Sequence, residues 1–114
     1  MIINGVELEN LDIYDIEVAE KYEKAIEEVR EKCNDVEDKS LSETIKLHCN
    51  LIFNLFNTMF GEGTDKKVFG NKVNLLVCLK SFEELILQVD EQKKSIEKIS
   101  NKYSPNRAAR RSKK

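Results

Sequence analysis

Between Leu41 and Phe60 lies a stretch that is apolar on nearly every side. Ile45, Leu47, Cys49, Leu51, Ile52, Phe53, Leu55, Phe56, Met59 and Phe60 follow one another so closely that, wound as a helix, they cover most of the cylinder. Only Lys46, Asn50, Asn54 and Asn57, spaced 4, 4 and 3, form a polar strip. Such a helix must be buried on most sides, so other elements have to be laid around it. Its boundaries are written locally. Ser40-Leu-Ser-Glu43 fits a capping box, in which a serine caps the first turn and a glutamate three residues on reaches back. Gly61 can take the left-handed conformation that closes a helix. The segment is predicted to be the central helix, over about 42–60.

Two further segments carry a single seam each, as flanking helices should. Ala19, Tyr22, Ile26, Val29, Cys33 and Val36 are spaced 3, 4, 3, 4, 3, which predicts a helix over about 13–37. Asp12 and Asp15 lie at its start, where carboxylates suit the positive end of the helix dipole. Its other faces are charged, with Glu17–Lys21 and Glu20–Lys24 at i,i+4. In the last segment Leu75, Leu79, Phe82, Ile86 and Val89 form a seam, widened by Leu76, Leu85 and Leu87, which predicts a helix over about 71–100. Past Val89 only Ile96 and Ile99 remain apolar, so the last turns should project from the core.

Residues 1–9 read as a hairpin. Asn4-Gly5 lies between Ile2-Ile3 and the alternating Val6 and Leu8, and an Asn-Gly pair supplies two residues that accept positive φ. Arms this short hold only when docked on something else. The connection at 61–70 is bounded by glycines, with Val68 and Phe69 either tucked into the bundle or left exposed. Ser104-Pro105 ends the last helix. The expected fold is mainly α: a three-helix bundle over 1–101 with a short N-terminal β-hairpin, then a disordered basic tail over 102–114.

Charge divides the chain at the same point. Residues 102–114 hold six of the 19 bases and no acid, which leaves 13 bases against 21 acids, a net −8, for the rest. Arg107, Arg110, Arg111, Lys113 and Lys114 are therefore candidate contacts to an anionic partner, whether nucleic acid or an acidic protein surface. The tail lacks interleaved aromatic residues, and an acidic body repels a duplex, so protein is the favoured partner. Three cysteines, an odd number with no C-x-x-C pair, argue against a disulfide framework or a zinc site and fit a reducing cytoplasm. No secretory leader and no membrane-spanning run is read from the sequence.

The chemistry-bearing residues do not assemble into an active site. His48 and Cys49 are neighbours on a helix and point to different faces. Gly61-x-Gly63 with Lys66-Lys67 lacks the hydroxyl and the preceding strand of a phosphate loop. Glu62 and Asp65 are too few for a calcium loop. No catalytic residue, metal or cofactor is expected. The candidate partner-binding residues are the Asn50, Asn54 and Asn57 strip, whose amides can give directional hydrogen bonds, and Val68 and Phe69 in the connection. The seams of the first and last helices can pack within one chain or between chains, so a homo-oligomer stays open.

Three pieces of the sequence carry a resemblance. Asn106-Arg-Ala-Ala-Arg-Arg111, closing a small acidic helical protein, resembles the N-R-A-x-R-R endings of tail assembly chaperones of long-tailed bacteriophages. Phe60-Gly-Glu-Gly-Thr64 followed by Val68-Phe69-Gly70 is similar to a loop in small phage tail-module proteins of Gram-positive hosts. The opening Ile3-Asn-Gly-Val-Glu-Leu8, leading into an acidic helix, looks like the same group. The resemblance implies a protein that binds the tape-measure protein in the bacterial cytoplasm, keeps its helices in solution and leaves as tail-tube subunits polymerise. It departs from some members in its long last helix and in lacking a β-rich body. The alternatives are a small phage nucleic-acid-binding protein using its tail, and a structural protein of the tail module.

Overall fold

The computed structural model describes residues 1–33 and 39–103. Val36 and the expected end of the first helix lie outside them, as do Arg107, Arg110, Arg111, Lys113 and Lys114. Strands β1 (Ile2–Ile3) and β2 (Val6–Glu7) are followed by α1 (Ile16–Cys33), α2 (Leu41–Phe60), α3 (Thr64–Phe69) and α4 (Leu75–Tyr103). The fold is mainly α-helical with an N-terminal β-hairpin.

The hairpin pairs Ile2 with Glu7 and Ile3 with Val6. Asn4 and Gly5 take φ of 52° and 74°, as their sequence requires. It is docked rather than free-standing. Ile3 is fully buried, Asn4 donates its backbone N–H to Glu84 Oε1 and its side-chain amide to the Val68 carbonyl, and Gln88 Nε2 donates to the Ile2 carbonyl at 2.8 Å. Leu8, Leu11 and Ile13 then run into the core as extended and turn residues. The first helix starts at Ile16 instead of near residue 13, because a turn intervenes: Asp12 accepts the N–H of Tyr14 on its carboxylate and that of Asp15 on its carbonyl. Tyr22, Ile26 and Val29 bury the expected α1 seam.

Helix α2 is the centre. Cys49, Leu51, Ile52, Leu55, Phe56 and Met59 are buried, with α1, α3 and α4 packed around them. Ser40 caps it: its hydroxyl oxygen accepts the Glu43 N–H at 3.2 Å and its hydroxyl meets the Glu43 carboxylate at 3.1 Å. Gly61 closes it differently from expectation. Its φ of 114° and ψ of 156° lie outside the left-handed helical region, in a conformation open essentially to glycine alone.

There are four helices among the described residues, not three. The connection at 61–70 folds into α3, which six residues are too few to announce by periodicity. Its start is fixed by Gly63 at φ 91° and by the Thr64 hydroxyl donating to the Gly61 carbonyl at 2.6 Å. Its reward is the burial of Val68 and Phe69. The Phe69 ring lies 5.0 Å from Phe53 and 5.5 Å, edge-on, from Phe56. Helix α4 begins at Leu75, later than the expected residue 71, because Asn74 caps it: its Oδ1 accepts the Val77 N–H at 3.1 Å.

The buried face of α4 is also rotated from the expected seam. Cys78, Ser81, Leu85 and Val89 are its fully buried residues, and Ser81 satisfies its hydroxyl on the Val77 carbonyl at 2.8 Å. Leu76, Leu79 and Leu87, read as part of the core seam, are 61%, 42% and 56% exposed. Leucines occur on both sides of this helix, so spacing alone could not say which side faces α2. Past Val89 most residues through Lys102 are exposed, and the helix runs to Tyr103, beyond the expected end near residue 100 and into the first two residues of the expected tail.

Candidate functional site

The asparagine strip of α2 does not act as one unit. Asn50 and Asn54 are exposed, whereas Asn57 is half-buried and accepts the Asp65 N–H on its Oδ1 at 2.9 Å. Asn57 therefore holds the start of α3. Val68 and Phe69 are buried in the core, so neither is presented to a partner in this conformation. Of the candidate residues described, Phe69 lines a small recess with Asn4, Lys72, Asn74 and Val77, and Asn54 lines a larger cleft.

That cleft lies between α1 and α2. Ala25 on α1 has only a methyl group to fill the space that a larger side chain would close, and Val29, Leu51 and Leu55 supply an apolar floor. Lys21, Lys24 and Glu28 stand along the α1 rim, with Asn54 and Thr58 along the α2 rim. The volume, about 360 Å³, is at the lower end of what ligand pockets occupy. The Glu28 carboxyl is held below its usual value, because Lys32 donates a hydrogen bond to its carboxylate at 2.9 Å and adds a favourable charge. An apolar floor with an amide, a hydroxyl and both signs of charge at its edge is suited to seating side chains of another helix. The sequence signal for the cleft is faint: one small residue, Ala25, amid the charged flank of the α1 seam.

On its opposite side α1 borders a wider trough with α4, lined by Tyr22, Ile26 and Ile86 and edged by Glu23, Glu27, Arg30, Asp90 and Lys93. Burial first, then the negative charge of Asp90, pushes Tyr22 up to about 12, while Arg30 pulls the other way.

The thiols are held in the core. Cys49 on α2 and Cys78 on α4 are both fully buried, and Cys78 is pushed up to about 12 by burial and by its hydrogen bond with Cys49. His48, by contrast, is only half-buried, so the adjacent pair diverges as i,i+1 geometry requires. Among the described residues no three His, Cys, Asp or Glu side chains are grouped so as to hold a metal ion, and no helix is long and apolar enough to cross a membrane.

A family model for a family of unknown function, DUF6673, matches residues 4–114. The chain belongs to the DUF6673 family. The DUF6673 match takes in the hairpin turn, all four helices described above and both edges of the α1–α2 cleft. No curated protein and no solved structure matches the chain.

Proposed function

We propose that this chain is a non-catalytic assembly factor that holds an amphipathic helix of a partner protein in its α1–α2 cleft. The observation that carries the reading is the make-up of that cleft: an apolar floor of Ala25, Val29, Leu51 and Leu55 under a rim that offers the Asn54 amide and charges of both signs. This is the surface that helix-in-groove recognition uses, where spaced apolar anchors give affinity and rim polar groups fix the register. The charged outer face of α1 keeps such a complex dispersed.

The resemblance of Asn106–Arg111 to the endings of phage tail assembly chaperones, and of the 60–70 connection to a loop of small phage tail-module proteins, supports a more specific partner, the tape-measure protein, bound in the bacterial cytoplasm until tail-tube subunits displace the chain. Displacement follows from competition: the tube protein must bind the same helices with greater affinity.

The test is co-expression with a tape-measure protein, reading its soluble fraction and its co-purification. The expected result is a soluble complex that Ala25→Glu, which fills the cleft with charge, reduces tenfold or more while leaving the circular dichroism spectrum unchanged. A partner that remains insoluble beside the wild-type chain overturns the reading. A salt-sensitive shift of DNA or RNA that disappears on truncation after Tyr103 would favour the nucleic-acid alternative instead.

A further inference from the structure

Helix α4 has a second seam, on the face turned away from the core. Leu76, Lys80, Glu83 and Leu87 recur at intervals of 4, 3 and 4. All four are exposed, Leu76 and Leu87 by 61% and 56%. Two leucines at the coiled-coil period, flanking a lysine and a glutamate on the same solvent face, form a pattern that a second helix can match. Lys80 and Glu83, which sit between the leucines, have no ion-pair partner among the described residues.

The order of these residues selects the occupant. Two copies of α4 can be laid antiparallel about a two-fold axis midway between Lys80 and Glu83. Leu76 of each copy then lies opposite Leu87 of the other, and Lys80 of each lies opposite Glu83 of the other. Both pairings occur twice, once on each side of the axis, as an isologous contact demands. Laid parallel and in register, the same helices would set Lys80 against Lys80 and Glu83 against Glu83, which costs stability. The pattern is thus self-complementary in one orientation only.

We propose that this face of α4 is a homodimer interface, with the second copy of the chain antiparallel. The interface uses the outer face of α4, so the α1–α2 cleft stays open and is presented twice, once on each subunit. The inference does not depend on what occupies the cleft.

Sedimentation equilibrium of the full chain tests it. The wild-type chain is expected to dimerise in the micromolar range. Leu76→Glu or Leu87→Glu should give a monomer with unchanged helical content, since both side chains are already exposed. Lys80→Glu alone and Glu83→Lys alone should each weaken the dimer tenfold or more. The double variant Lys80→Glu/Glu83→Lys should restore it, because the pairing is exchanged and not lost. Ile99→Asp, near the exposed C-terminal end of α4, should leave the dimer as it is. A wild-type chain that stays monomeric at 100 micromolar (less than about 5.5 kcal/mol of association), a double variant no tighter than the singles, or a dimer lost on Ile99→Asp would each overturn the proposal.

Discussion

The side-chain oxygen of Asn57 accepts the backbone N–H of Asp65 at 2.9 Å, joining the last turns of α2 to the first turn of α3 across a glycine-containing bend. One member of a polar strip thereby becomes a cap for the next helix. Asn57→Ala should cost about 1 kcal/mol of unfolding free energy, the usual loss for a removed helix cap. Asn50→Ala and Asn54→Ala, on exposed positions of the same strip, should stay within about 0.5 kcal/mol of wild type. Urea denaturation of the three variants separates the roles.

Phe69 carries the attachment of α3 to the body. Its ring meets both Phe53 and Phe56, and it is buried. Phe69→Ala should destabilise the protein by about 3–4 kcal/mol, the range for emptying a core aromatic site. The same substitution should bring hydrogen exchange in 64–69 close to that of an open loop, well ahead of α2.

Thiol reactivity should divide the cysteines. Cys33 is half-buried, and burial raises its thiol above the ordinary value; Cys49 and Cys78 are fully enclosed and in contact. Under native conditions at pH 8, an alkylating reagent followed by mass spectrometry should label Cys33 first. The other two should react only at the rate at which the core opens, and all three together in denaturant.

Alkali should loosen the fold. Tyr22 and Cys78 are neutral when protonated, and both are pushed up to about 12 from ordinary values near 10 and 9. Between those values and 12 the unfolded chain holds fewer protons than the folded one, so stability falls as pH rises. The urea midpoint should therefore be insensitive to these groups below about pH 9 and drop progressively toward pH 12. Tyr22→Phe should flatten the part of that slope above pH 10, with the cysteine contribution left intact.

Features set by local chemistry were legible in the sequence. Asn4-Gly5 specified its turn, Ser40 and Glu43 their cap, and the apolar density of 45–60 the central helix. Features settled by three-dimensional competition were not. Six residues from Thr64 to Phe69 are too short to show a period, and their helix exists because Phe53 and Phe56 receive Phe69. The leucines of α4 fall on two faces, and only the fit of Cys78, Ser81 and Leu85 against α2 decides which face is inside. The α1–α2 cleft depends on what Ala25 leaves unfilled, which becomes visible only once Leu51 and Leu55 stand opposite.

The hairpin also sets an order of events. The bond from Asn4 to Glu84 joins residues 80 apart in sequence, and that from Gln88 to Ile2 joins residues 86 apart. Closing loops of that length is costly in chain entropy until the intervening helices have shortened the path. Docking of β1 and β2 is therefore expected to come late in folding, with mutations at Ile3 changing the unfolding rate more than the folding rate. Because Ile3 is fully buried, an excursion of the first eight residues would bare its socket beside α4 while the helices stay assembled, and native-state hydrogen exchange at the hairpin ahead of α2 is the measurement that would reveal such a partly open state.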